Sequence, residues 1–451
     1  MDYIIYFAIT IAILVCVHEF GHFAAAKLSG MRADVFAIGF GKRLLGWNKI
    51  SGFSVGDLPK DFDGQGHTDY RLCLLPLGGY VKIAGMVDES FDTEALNQPP
   101  KPYEFRSKSL PRKVFVITAG VLMNLILAWL IFWGTNFFQA KEYWKTTTIS
   151  EVLPGSLADS LGFKSNDNIV SINGASVANW QEVTNAIYIN TIGEDVTLEL
   201  KRNKNLIEVK IPRSRIPEQP DKILLLPAGL TRPAIDSVVA NSPASKAGIV
   251  SGDIFLELNK TPIHLRQQAI EIISSNQNKT LPLILLRGKD TINLGVTPGT
   301  DGTIGVYIMQ SYSGPVELKT HGFFESFYLG GQEITRMTEL TFKMLGKVIT
   351  GKIEFGKAFG GPIKIAQFAA KSADSGILSF LYFLALLSLS LAILNILPFP
   401  VLDGGHLVII IIESIFKREI PVKVKVAIQN VGFVLLLLLM AFILYNDILN
   451  I

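Results

Sequence analysis

The sequence predicts a polytopic α-helical membrane protein. Four transmembrane helices are expected, with a membrane-associated β-hairpin or sheet element after the first and two α+β domains between the second and third. Three observations carry this prediction. Four long apolar runs are present, two glycine-punctuated strand-like stretches lie between the first pair, and the polar middle contains an ungapped repeat. With 451 residues, 49% of them hydrophobic, the chain has room for several domains. The runs at 3–26, 114–138, 377–397 and 424–444 are each long enough to cross about 30 Å of hydrocarbon.

The first membrane part covers 1–140. Its opening span is apolar from residue 4 to 17 and then carries His18-Glu19-Phe20-Gly21-His22. It has no basic leader and bears titratable groups at membrane depth, so it is not a signal peptide. The β element is placed at about 35–85, with strand-like stretches at 36–41 and 71–81. Open strands cannot face lipid, so these stretches must pack on the helices or line a cavity. The polar stretch 57–69 is read as an exposed loop.

The polar middle divides at 141–213 and 222–300. Residues 151–177 align with 237–263, matching Val152 with Val238, Ser156 with Ser242, Ala158 with Ala244, Gly162 with Gly248, Asp167 with Asp253, and Asn173 with Asn259. Each unit continues into a helix-like stretch (180–189, 267–275) and an alternating strand (196–201, 281–286). This order resembles a PDZ domain, a fold that binds extended peptide at a sheet edge. The repeats either bind peptide or a substrate ectodomain, or are spacers with closed grooves. Within the segment 315–371, apolar residues from Phe323 to Val348 fall at helical spacing among Glu325, Gln332, Arg336 and Glu339. That fits an amphipathic helix lying on the membrane surface or packed on the repeats. The second membrane part, 372–451, holds the last two spans.

Lys27, Arg32, Lys42 and Arg43 follow the first span, Arg106, Lys108, Arg112 and Lys113 precede the second, and Lys417, Arg418, Lys423 and Lys425 separate the last two. The positive-inside rule puts these loops in the cytoplasm and both termini and the repeats outside. Net charge is only +3, which offers no basic field for nucleic acid. The two cysteines, Cys16 and Cys73, suggest no disulfide framework.

The candidate chemistry begins at His18 and His22. Four residues apart on a helix, they share a face and can hold one zinc ion, with Glu19 beside them to take a proton from water. Ionisable groups within a membrane are costly and point to function. A catalytic zinc takes three protein ligands and keeps one open position. Asn395-Ile396-Leu397-Pro398-Phe399-Pro400-Val401-Leu402-Asp403-Gly404-Gly405 breaks the third span on its cytoplasmic side and brings Asp403 to a similar depth. His406 is an orienting or incidental neighbour, since a fourth ligand would close the site. His67, His264 and His321 lie in loop contexts and are expected to be solvated.

With H-E-F-G-H in a first span and N-x-x-P-x-P-x-L-D-G in a late one, the chain resembles the site-two protease family of intramembrane zinc metalloproteases. Phe40-Gly41, Leu75 to Lys82 and Gly361-Pro362-Ile363 match it too, and the resemblance covers essentially the whole chain. Residues 49–66 and 88–102 are longer than expected. The resemblance implies one catalytic Zn²⁺ on His18, His22 and Asp403, Glu19 as general base, and Asn395 on the substrate backbone or oxyanion. Asn395 could equally be a hydrogen-bonder between helices. It also implies that the stretch around 72–81, through Leu74, Leu75, Gly78, Gly79 and Tyr80, pairs with unwound substrate. The implied substrates are single-pass membrane proteins already shortened by another protease, such as an anti-sigma factor, and leftover signal peptides. The implied place is a bacterial inner membrane, with the lipid bilayer as a partner. A metal transporter or a catalytically dead PDZ receptor are the alternatives. The first has no need of the repeats, and the second has no need of Glu19.

Overall fold

The computed structural model describes residues 2–59, 62–86, 99–150, 152, 155–191, 194–216, 225–351 and 360–449. The insertion expected at 88–102 therefore lies almost wholly outside the described residues. The described chain divides into a helical unit formed by 1–140 and 320–451, and an inserted unit, 141–319.

In the helical unit, α1 (Asp2–Leu28) and α2 (Leu110–Phe138) are apolar on all sides, as helices facing lipid and one another must be. After the insert come α3 (Phe323–Ile349), α4 (Pro362–Asp374), α5 (Ile377–Ile396), α6 (Asp403–Phe416) and α7 (Val422–Leu449). Of these, α1, α2, α5 and α7 are long and apolar enough to cross a membrane. Gly21 lets α1 approach α2 closely, because a Cβ there would run into the Ala119 carbonyl. Ala128 and Phe132 of α2 pack with Ala385, Leu389 and Ile393 of α5 in one buried cluster.

The amphipathic segment resolves into α3 and α4. Here α3 packs on α2: Trp129 and Trp133 donate their indole N–H to the carbonyls of Phe327 and Phe323 at 3.0 and 3.2 Å. At the start of α4, the buried Asp447 of α7 accepts the Gly361 N–H at 3.1 Å and the Lys364 N–H at 3.3 Å. It thereby caps a helix whose own residues supply no side-chain cap.

Three strands, β1 (Ala33–Asn48), β2 (Gly52–Val55) and β3 (Asp69–Ile83), form a sheet in the order β2-β1-β3. The first half of β1 is paired on both sides by β3: Ala37 faces Tyr80 and Arg71, and Ile38 faces Gly79 and Leu72. The bend that permits this falls at Gly39 and Gly41, with φ of +89° and +86°. Asp69 corrects the loop expected at 57–69. It opens β3 and is buried against Arg43 at 3.2 Å, and Arg71 holds its other oxygen at 2.7 Å. Its charge suggests a solvent-facing loop, but Arg43, 26 residues away on β1, and its near neighbour Arg71 pair with it inside the sheet.

The inserted unit contains two β-rich modules. The first orders its strands Ala175–Ser176, Asn168–Ile172, Val196–Arg202, Asn205–Ile211. The second orders them Asp290–Val296, Leu281–Arg287, Ile254–Leu258, Ala234–Val238, Val306–Met309. Its last strand lies beyond the boundary expected at 300, because the turn around Gly302 returns the chain to the sheet edge. Matched residues of the repeat have matched roles. Ser156 and Ser242 each cap a short helix, and Asn173 and Asn259 each take a left-handed turn conformation. Asp167 receives two hydrogen bonds from Arg202, and Asp253 two from Arg287. Burial alone would push both carboxyls up, but the guanidinium beside each holds it below the usual carboxylate range.

Candidate metal centre and active site

The site is assembled where α1 meets α2 and the start of α6. One turn of α1 separates His18 from His22, and their Nε2 atoms lie 3.2 Å apart. Asp403 reaches them from the first residue of α6. One of its carboxylate oxygens is 3.3 Å from His18 Nε2 and the other 3.5 Å from His22 Nε2. One donor atom from each of the three lies within 4.8 Å of the others, the only such cluster among the described residues. The three side chains are 10%, 13% and 18% exposed.

The turn before α6 explains how Asp403 arrives there. Pro398 and Pro400 end α5, and Val401 sits at φ +82°, a conformation rare for a β-branched residue. Gly404 and Gly405 then start α6 against the carbonyls of Leu397 and Phe399, where any Cβ would collide.

The donor set fits zinc. Two imidazole nitrogens and a carboxylate are three protein ligands of a catalytic site, leaving a fourth position free. The space agrees: a Cβ on Gly120 of α2 would strike His22 Nε2 and stand 2.7 Å from His18 Cε1. Asp403 Oδ2 is buried without a hydrogen bond, as a ligand oxygen with no other partner would be. His22 also has its tautomer set. Its Nδ1–H donates to the Val116 carbonyl at 2.8 Å, leaving the Nε2 lone pair toward Asp403.

Glu19 points from α1 toward β3 and accepts a hydrogen bond from the Val81 backbone N–H. Gly79 makes this approach possible, since its Cβ would lie 3.3 Å from Glu19 Cγ and 2.6 Å from the Ala37 carbonyl. Asn395, near the end of α5, places its Nδ2 3.4 Å from His18 Nε2. Of the expected strand residues, Leu74 and Leu75 are exposed, Gly78 and Gly79 are buried, and Tyr80 is half-buried and stacked on Phe40. His406 lies outside the donor cluster, with Nε2 3.3 Å from Gln429 Nε2. Among the histidines expected to be solvated, His321 is buried instead and bonds Glu325 at 2.8 Å.

Sequence reasoning passed over Gly120 and Val116. Both lie in a largely apolar helix, and only packing turns that face toward the histidines. The spacing 116, 120, 124 was the available signal, one face of α2 at four-residue steps.

The family model described as "Peptidase family M50" matches residues 6–439. Protease RseP of Yersinia pestis is 32% identical over 465 residues, covering 98% of this chain and 97% of the relative. The regulator of sigma E protease of Haemophilus influenzae is 32% identical, covering 98% of each chain. A putative zinc metalloprotease of Vibrio cholerae is 30% identical over 98% of this chain and 97% of its own length.

Proposed function

The chain belongs to peptidase family M50, and from that premise we propose an intramembrane zinc metalloprotease that cuts transmembrane segments of pre-shortened single-pass proteins. An anti-sigma factor is the model substrate, with signal-peptide remnants as a second group. Metalloprotease activity and zinc follow from the family and its relatives. The observation that carries the finer reading is the meeting of His18, His22 and Asp403 with Glu19 between helices apolar enough to span a membrane.

His18, His22 and Asp403 would hold the zinc ion. When bound, it polarises water and the scissile carbonyl. Glu19 takes a proton from the attacking water and returns it to the leaving amine, so no net proton is consumed in forming the two chain ends. Asn395 donates its amide N–H to the oxygen on which negative charge develops. A transmembrane helix hides its carbonyls in its own hydrogen bonds, so the substrate must unwind. We assign β3, from Leu74 to Tyr80, to receive it as an added strand. The hydrogen bond from the Val81 N–H to the Glu19 carboxylate supports a base beside the strand assigned to substrate.

The two repeat modules act as PDZ-like domains on the periplasmic side of a bacterial inner membrane and exclude bulky ectodomains. The active site lies toward the cytoplasmic face. This assignment is tested with one single-pass protein in intact and pre-cut forms. The full chain should cut only the pre-cut form, and a variant lacking 148–297 should cut both. The filter role fails if deletion leaves the selection unchanged. The substrate class fails if the full chain cuts both forms equally.

A further inference from the structure

We propose that Asn124 is a positioning residue that fixes the tautomer of His18 by accepting its Nδ1–H, so that α2 orients both histidines of the metal site. This rests on the reading of His18 as a zinc ligand. His18 presents Nε2 to Asp403 and His22, so its Nε2 must carry a lone pair when metal is held and its Nδ1 must carry the proton. That proton needs an acceptor. The side chain facing His18 Nδ1 is the carboxamide of Asn124, with its Nδ2 at 3.2 Å. A carboxamide's two ends have the same shape, so the neighbouring chemistry decides which one faces the ring.

Two observations turn the oxygen toward His18. An NH₂ group donating to Nδ1 would force the proton onto Nε2 and remove that nitrogen as a ligand. Asn124 is fully buried, and its Oδ1 has no hydrogen-bond partner when Nδ2 faces the ring. An orphaned buried acceptor is costly, and turning it to His18 supplies its donor. The backbone at Asn124 is also held: Ser388 of α5, itself fully buried, donates its hydroxyl to the Asn124 carbonyl at 2.8 Å. One face of α2 thus carries three matched features in successive turns. The Val116 carbonyl accepts from His22, Gly120 leaves room for the rings, and Asn124 accepts from His18. A polar residue in a lipid-facing helix otherwise reads as a link between helices. That simpler role would show as a lowered metal-free melt in Asn124→Leu rather than as a loss of zinc affinity.

The test is zinc affinity of the full chain in detergent, read by competition with a chromophoric chelator, for wild type, Asn124→Leu and Asn124→Asp. Asn124→Leu should bind zinc about 10- to 100-fold more weakly. Asn124→Asp, which can only accept, should bind at least as tightly as wild type. Thermal melts in excess chelator report the metal-free fold separately. The proposal is overturned if Asn124→Leu binds zinc like wild type, or if Asn124→Asp binds as weakly as Asn124→Leu while both melt normally. Wild type failing to bind zinc, or binding it unchanged by His18→Ala, would instead overturn the metal reading beneath it.

Discussion

His18 Nε2 lies 3.3 Å from Asp403 Oδ2, joining the first apolar helix to the broken end of the third. Neither residue can reach the other through local structure. The pairing depends on α2 packing against both α1 and α5, with Gly21 and the Ala128–Phe132 cluster as contact points. The candidate metal centre is therefore a product of the helix packing, and it can be perturbed from positions that bear no candidate ligand.

Gly120 is the clearest of these. Gly120→Ala places a methyl against both imidazoles yet improves helix propensity by about 1 kcal/mol. The expected result is zinc binding about 10- to 100-fold weaker, with the metal-free protein destabilised by no more than about 1–3 kcal/mol of overpacking. Chelator competition alongside melts measures both, and unchanged zinc affinity would mean the rings have more room than described.

Gly79 separates the base from the metal. In Gly79→Ala the three atoms nearest the new methyl are the Ala37 carbonyl oxygen, Val15 Cγ1 and Glu19 Cγ. Zinc binding should be retained while cleavage falls on the order of 100-fold, the cost of displacing a reacting group by about 1 Å. Equal loss of zinc and activity would contradict the separate placement of Glu19.

The apolar runs, the histidine pair and Asp403 were legible because each depends on residue type and spacing. The sheet was legible only as strand-like stretches. Pairing of Ala37 with both Tyr80 and Arg71 depends on a bend at Gly39 and Gly41 that allows β1 to lie between two parts of β3. Asp69 was misread because its partner Arg43 lies in another strand. Asn124 was visible as a polar residue in a span, but its facing toward His18 is fixed by the rotation of α2, which periodicity cannot supply in a helix apolar on all sides.

The inserted unit carries its own pH dependence. Asp167 and Asp253 have carboxyl groups depressed by Arg202 and Arg287, so their contribution to stability is present above about pH 4, where the unfolded carboxyls ionise. It is lost as pH falls through the lower folded values. Thermal melts of the inserted unit's transition in the full chain should be level from pH 7 to 5 and decline below about 4. Arg202→Met leaves Asp167 buried without its partner and should destabilise that transition by about 3 kcal/mol. A melt unmoved by Arg202→Met would remove the pair from the account.

The most direct test of the central claim pairs cleavage with zinc content in Glu19→Gln. The variant, in detergent with a pre-cut single-pass substrate, should retain zinc at the wild-type level. It should cut at least about 100-fold more slowly, because the ligands remain while the base is gone. Cleavage at the wild-type rate by zinc-loaded Glu19→Gln would contradict the assigned chemistry.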